Sequence, residues 1–231
     1  APPAVAPKGR PAPAAVTLQE VPFEGAKPSA KDVLGKHVDA TGGAAAWESR
    51  TMMVSKGAIE VPSAGIKGTM EMKAMRPDRV SVTMDLPGMG QTRTGFDGTT
   101  GWTMDPMRGP ALMKPAETAE VRRDADFMRD VALAKDPGAA EVTGLFLFEG
   151  RPAWLVKMPA TGASKEPESR FYDKETGLLG GMMRSAETPM GKIPVVVVLA
   201  DYKDFGGVKL PTRTTTKVMG QEQVMTVERT A

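Results

Sequence analysis

The 231-residue sequence has no cysteine and a single histidine, His37. Without cysteine there can be no disulfide, thiolate metal site, iron–sulfur cluster, covalently attached haem, lipid-anchored N-terminal Cys or Cys nucleophile. One histidine cannot build an imidazole cluster around a metal, and it leaves one position for a histidine-dependent dyad. Aromatic residues make up only 5% of the chain. Neither sign of charge dominates: 30 Lys and Arg stand against 28 Asp and Glu, a net charge of +2. A chain dedicated to nucleic acid usually concentrates an excess of positive charge, so that class of partner is not expected. No apolar run approaches the roughly 18–20 residues that span a bilayer. The longest, 193–200, contains Pro194 and has the length of a strand.

Catalytic signatures are equally scarce. There is no Gly-x-Ser-x-Gly elbow, no complete phosphate loop and no convincing pair of carboxylates. Asp204-Phe205-Gly206 spells a kinase triplet without the rest of that machinery and reads as a turn. His37 falls beside the apolar stripe of a helix and reads as a packed structural histidine. Asp124 and Asp126 lie in a mixed-charge segment, 122–126, that reads as a solvated helix face rather than a metal site. No catalytic residue, metal ligand or cofactor is assigned, and the chain is not expected to be an enzyme.

Methionine, by contrast, is abundant, with 17 residues. Many of them fall in or beside segments of alternating hydrophobicity. An unbranched thioether side chain fills cores, but it also makes adaptable apolar pockets. The length suits one large domain with a sizeable core.

The segment 1–28 holds seven of the 20 prolines and few large apolar groups, so it reads as a flexible or docking arm. Its Ala-Pro-Pro-Ala opening fits a mature end left by removal of an export signal, giving an expected periplasmic location. The folded domain is expected over 29–231. Ser29 is a good N-cap for a helix over 30–40 that ends at Gly42-Gly43, with a second short turn of helix over 44–49. From Thr51 the period becomes 2. Val80, Val82, Met84 and Leu86 alternate with Arg79, Ser81, Thr83 and Asp85. Met70 and Met72 likewise alternate with Lys67, Glu71 and Lys73. One apolar and one wet face is the pattern of an antiparallel sheet.

Eleven strands are expected, at 65–75, 79–86, 91–96, 101–104, 139–148, 151–158, 168–173, 178–188, 193–205, 208–219 and 221–229. A helical stretch within 110–136, opening at Pro115, interrupts them. The expected fold class is mainly β (α+β), a curved, incomplete antiparallel β-barrel covered by two or three helical segments. The concave face, with Met70, Met72, Val80, Val82, Met84, Trp102 and Trp154, is the expected ligand-binding surface.

Three turn-forming motifs add a resemblance. Residues 95–106, with Asp97-Gly98, Trp102 and Asp105-Pro106, resemble the "DG…W…DP" hairpin of the LolA/LolB-like superfamily, periplasmic carriers of outer-membrane lipoproteins. Residues 171–179, with Asp173, Thr176-Gly177 and Leu178, resemble its later "D-x-x-T-G-L" hairpin. Residues 201–211, with Asp201-Tyr202, Gly206-Gly207 and Pro211, resemble a "DY-x-x-x-GG-x-x-x-P" pair of bacterial relatives. The resemblance implies a half-barrel wrapped around helices and a role in binding and shuttling rather than chemistry. The expected ligand is a lipid, a lipoprotein acyl chain or another apolar molecule. The alternative is an accessory subunit of a membrane-associated complex, docked through the arm and the barrel surface.

Overall fold

The computed structural model describes residues 18–160, 167–188 and 191–230. The chain opens with β1 (Gln19–Glu20), α1 (Ala30–Ala40) and α2 (Ala44–Glu48). Six strands follow: β2 (Met52–Val61), β3 (Ile66–Met75), β4 (Arg79–Leu86), β5 (Gly90–Phe96), β6 (Gly101–Asp105) and β7 (Gly109–Leu112). Next come α3 (Pro115–Ala125) and α4 (Arg129–Lys135). The rest is β8 (Glu141–Phe148), β9 (Arg151–Met158), β10 (Glu168–Asp173), β11 (Leu179–Thr188), β12 (Gly191–Asp204), β13 (Lys209–Val218) and β14 (Gln221–Thr230).

All fourteen strands form one antiparallel sheet in the order β1-β8-β9-β10-β11-β12-β13-β14-β2-β3-β4-β5-β6-β7. The sheet stays open, with β1 and β7 at its edges. Sequence pattern anticipates the single curved sheet but undercounts its strands by three. In β2, Ser55 and Gly57 stand at core-facing positions, which blurs the alternation. Gly57 is needed there because Thr226 O lies 1.8 Å from where a Cβ would sit. β7 carries Pro110, which an edge strand tolerates. β1 is a two-residue pairing of Gln19 and Glu20 with Leu147 and Phe146, inside the segment expected to be an arm. Residues 1–17 of that arm lie outside the described residues.

The described residues form four α-helices, the last two within the single helical stretch expected over 110–136. α1 begins at Ser29, whose hydroxyl accepts the Asp32 N–H while the Asp32 carboxylate accepts the Ser29 N–H. The helical stretch expected within 110–136 divides in two, because the Asp126 carboxylate accepts the Met128 N–H at 2.9 Å and turns the chain.

The helices lie on one face of the sheet, here called inner. Ala30, Val33 and Leu34 of α1 pack with Val142, Val156, Met158, Tyr172 and Leu179, and Leu133 and Ala134 of α4 join them. α3 packs instead on β4, β5 and β6. The outer face of β8–β12 is apolar too: Phe148, Ala153, Leu155, Phe171 and Val196 are buried there, with Leu18 against them. Strands buried on both faces read as continuous apolar runs, and 193–200 is one.

Two of the three sequence motifs are turns that hold α1. The Asp173 carboxylate accepts the N–H groups of Glu175 and Thr176 and the Thr176 hydroxyl. Gly177, at φ +75°, then passes close under Lys36, whose ammonium donates to Lys174 O and Glu175 O. At the end of α1, Gly42 meets Gly207 O so closely that a Cβ would lie 2.0 Å from it.

A buried charge cluster holds α4. Arg170 of β10 is 3% exposed and points to the inner face. It donates to Asp130 of α4 at 2.7 Å and to Glu168 at 2.6 Å. Asp130 also meets His37 Nε2 at 3.5 Å, and His37 Nδ1 lies 3.2 Å from Gly177 O. His37 is thus structural as expected, although its carboxylate partner, 93 positions on, is invisible in the sequence. Burial favours the neutral carboxyls of Asp130 and Glu168, but the Arg170 charge and hydrogen bonds, with the His37 bond at Asp130, outweigh it and hold both below the usual carboxylate range. Burial pushes the Tyr172 hydroxyl up to about 12, so it stays neutral beside them.

Two outcomes follow from these contacts. A Cβ on Gly181 would lie 2.2 Å from Val197 O and 2.6 Å from the Phe148 ring, which stacks on Phe171 at 4.3 Å. Gly181→Val is expected to lower unfolding free energy by about 2 kcal/mol or more, measured by denaturant titration; an unchanged midpoint would contradict the outer-face packing. Arg170→Met leaves two part-buried carboxylates without their cation and is expected to cost about 3–5 kcal/mol at neutral pH. The lowered carboxyls stabilise the wild type above an unfolded-state pKa near 4, and that stability is lost as pH falls through their lower folded values. The thermal midpoint of the wild type is therefore expected to fall on acidification below about pH 4. The acid-dependent difference should be much smaller in Arg170→Met.

Candidate functional site

Pairing register decides which residues share the inner face. Met70 lies opposite Met84, Met72 opposite Val82, and Ala74 opposite Val80. Val80 in turn faces Phe96. Across β2 the same face continues through Met53, Ser55, Gly57 and Ile59, and across β14 through Met225, which lies opposite Ile59. Leu199, in the core under α1, belongs to this face as well, so the stripe and the helices are on the same side.

The stripe differs from the rest of the inner face in its cover. Under α1 and α4, Val156, Tyr172 and Leu179 are at most 5% exposed. Between that region and α3, Met70 is buried, but Met72, Val80, Val82, Met84, Leu86, Val197 and Met225 are only half-buried. The opposite face is wet as anticipated: Lys67, Lys73, Arg79 and Asp85 are exposed. Glu71 is half-buried, bridging Lys56 at 2.5 Å and Lys73 at 2.6 Å, and these bonds bring its pKa to about 2.

Five of the seven residues expected to bind ligand therefore form one surface: Met70, Met72, Val80, Val82 and Met84. The two tryptophans do not join it. Trp102 pairs with Gly95 and lies across it on the outer face, where a Cβ on Gly95 would come 2.6 Å from the ring. A single residue of offset in β6 puts Trp102 on the other side from Phe96, which is why reading Trp102 into the concave face fails. Trp154 is on the inner face but belongs to the core under α1, and Phe23 closes on it edge-to-face at 4.9 Å. A slot of 120 Å³ beside it, lined by Pro28, Val33, Trp154 and Tyr172, is too small for more than a fragment of a ligand.

Sequence reasoning missed a second feature at the end of the stripe. The 122–126 segment is not simply a solvated face. Arg122 bonds the buried carboxylate of Asp78 at 2.6 Å, and its guanidinium lies 6.0 Å from the Phe96 ring centre. Together with Pro77, Ala119, Arg123, Asp126 and Arg129 they line a cleft of 440 Å³. The only signal in the sequence is the spacing of Arg122, Arg123 and Arg129, and it gains meaning only when the helices pack. Among the described residues, no cluster of three or more His, Asp or Glu side chains is placed to hold a metal ion. No helix of the described chain is long and apolar enough to cross a membrane.

No protein-family model matches the sequence, and no curated protein resembles it significantly. Solved structures do resemble the fold. A LolA superfamily protein from Nitrosomonas europaea superposes with a TM-score of 0.60 at 10% identity, covering 88% of this chain and 93% of its own. A putative outer membrane lipoprotein-sorting protein domain from Vibrio parahaemolyticus gives 0.56 at 9% identity, over 87% and 91%. A DUF1329 family protein from Desulfovibrio piger gives 0.57 at 10% identity, over 87% and 90%. At such identities the likeness speaks for architecture alone: the chain has a LolA-like fold.

Proposed function

We propose that the protein is a non-enzymatic periplasmic binding protein or carrier whose inner-face stripe takes a lipid, a lipoprotein acyl chain or a similar apolar ligand. The observation that carries this reading is the half-buried run of Met72, Val82, Met84, Val197 and Met225 between two helix-covered regions. Apolar surface that the helices bury elsewhere on the inner face, but that is left reachable here, favours an apolar occupant. Apolar contact is worth roughly 25 cal/mol per Å², so an acyl chain laid along the stripe needs no polar anchor to bind usefully. Methionine suits such a site because its thioether chain repacks around occupants of different shape. Support of a second kind comes from the neighbours in fold, one of which is described as a lipoprotein-sorting protein domain.

A second reading, an accessory subunit of a membrane-associated complex, rests on the β7 edge. Leu112 is 77% exposed and Met107 90%, beside a 380 Å³ groove that also includes Trp102, Met104 and Pro110. An open apolar edge is a ready surface for a partner. The N-terminal arm contributes less to this reading than its composition promises. Its stretch 18–28 lies on the protein itself, with Leu18 on the outer cluster and Phe23 on Trp154.

A fluorescent fatty-acyl probe separates the two readings. The carrier reading expects saturable binding to the intact chain and a roughly 5- to 30-fold weaker affinity in Met84→Gln, because an amide would replace apolar surface at the contact. Circular dichroism should show the variant folded. Absence of saturable binding to the wild type would remove the carrier reading and leave the accessory-subunit one.

A further inference from the structure

We propose that the arginine cleft between α3 and the β3–β4 turn is an anion site that holds a phosphate group, and that it receives the charged head of the ligand whose apolar part lies on the stripe. The second half of this statement rests on the carrier reading; the first does not.

Three guanidiniums, Arg122, Arg123 and Arg129, converge on the cleft with two carboxylates, Asp78 and Asp126. Both carboxylates already have partners: Asp78 takes the Arg122 Nε–H, and Asp126 takes the Met128 N–H. Arg129 lies only loosely against Glu168, at 3.9 Å, and that carboxylate's shorter bond goes to Arg170. Among the residues that line the cleft, three guanidiniums stand against two carboxylates, an excess of one positive charge. Arg129 registers the crowding: burial first, then the nearby charges of Arg170 and Arg123, lower the pKa of its guanidinium against the opposing pull of Glu168 and Asp130. An anion in the cleft would relieve that repulsion. Planar guanidiniums match phosphate oxygens two at a time, which a scatter of lysines does not.

Size and position add to this. At 440 Å³ the cleft falls in the ~300–1,000 Å³ range of small-molecule sites and exceeds what a bare phosphate fills. It is linked to the stripe through Phe96. Arg122 sits over Phe96, Phe96 pairs with Val80, and Val82 and Met84 follow along the same strand face. A ligand with its head in the cleft can thus run its tail along the methionines. The chemical class is a phosphate-bearing anionic amphiphile.

The test uses the full chain and three probes: lysophosphatidylglycerol, a monoacylglycerol with the same tail and no phosphate, and inorganic phosphate, each titrated by calorimetry. The lysolipid is expected to bind about tenfold or more tightly than the monoacylglycerol, with the difference shrinking as salt rises. The Arg123→Gln, Arg129→Gln double variant should erase that difference and leave monoacylglycerol affinity unchanged. The corresponding double Lys variant should retain a large part of it, and circular dichroism and thermal midpoints check folding. Saturable binding of inorganic phosphate that disappears in the Gln variant would identify free phosphate as a source and equally support the cleft. If phosphate binds but neither lipid does, the cleft stands and the carrier reading falls. Equal affinity for the two lipids with no phosphate binding overturns the cleft and spares the carrier reading. A preference that survives in the Gln variant also overturns it.

Discussion

Arg170 is a guanidinium set almost wholly out of water on the inner face of a sheet, and much of the architecture follows from satisfying it. Its charge needs carboxylates within bonding distance, and one of them, Asp130, must come from α4. Asp130 in turn meets His37 of α1, and His37 meets the backbone of the β10–β11 turn at Gly177. The cluster thus links two helices, a strand and a turn that are far apart in the chain. Apolar packing of Leu34, Leu133 and Tyr172 supplies most of the burial, but it is tolerant of sliding. The charged contacts are directional, so they fix where along the sheet the helices sit. Where α1 and α4 stop, the half-buried stripe begins.

The two halves of the sheet solve different problems. β8 to β12 bury both faces, with Phe148 stacked on Phe171 outside and Tyr172 beneath α1 inside. Glycines make the outer stack possible, since Phe148 lies directly over Gly181. β3 to β5 leave much of the inner face half-buried and expose Lys67, Lys73, Arg79 and Arg93 on the other. A half packed on both faces therefore carries a half with less cover. That asymmetry matters for a binding surface, because strands without double-sided packing adjust more easily around an occupant.

The sequence was most legible where one residue type has one physical meaning. Ser29 with Asp32 marked the start of α1, Gly42 its end, and the alternation through Met70, Met72, Val82 and Met84 named the inner face of β3 and β4. Turn motifs such as Asp173-Lys174-Glu175-Thr176-Gly177 could be recognised locally because the carboxylate bonds its own next residues. Trp102 falls on the outer face, against expectation, because an aromatic residue in a short strand gives no parity of its own, and only pairing with Gly95 assigns its side. The Arg170–Asp130–His37 cluster and the Arg122–Asp78 bond join residues 40 or more positions apart. No local pattern encodes such contacts. The doubly buried strands were visible as the run 193–200, but length alone does not say what covers the second face.

A surface of methionines and valines attracts an acyl chain without telling it which way to lie, because apolar contact has no direction and each register is nearly as good as the next. A ligand held only by such a stripe would slide along it and leave easily. A charged group fixed at one end changes this, since a guanidinium pair recognises a particular set of oxygens in a particular place. Under the proposed reading, the apolar stripe would set how much the protein binds and the arginine cleft how the ligand is oriented. The division also explains why the arginines border the apolar strip through Phe96 instead of lying within it. A guanidinium inside the stripe would need more than one carboxylate around it, as Arg170 does, whereas Arg122 at the rim is exposed and is matched by Asp78 alone.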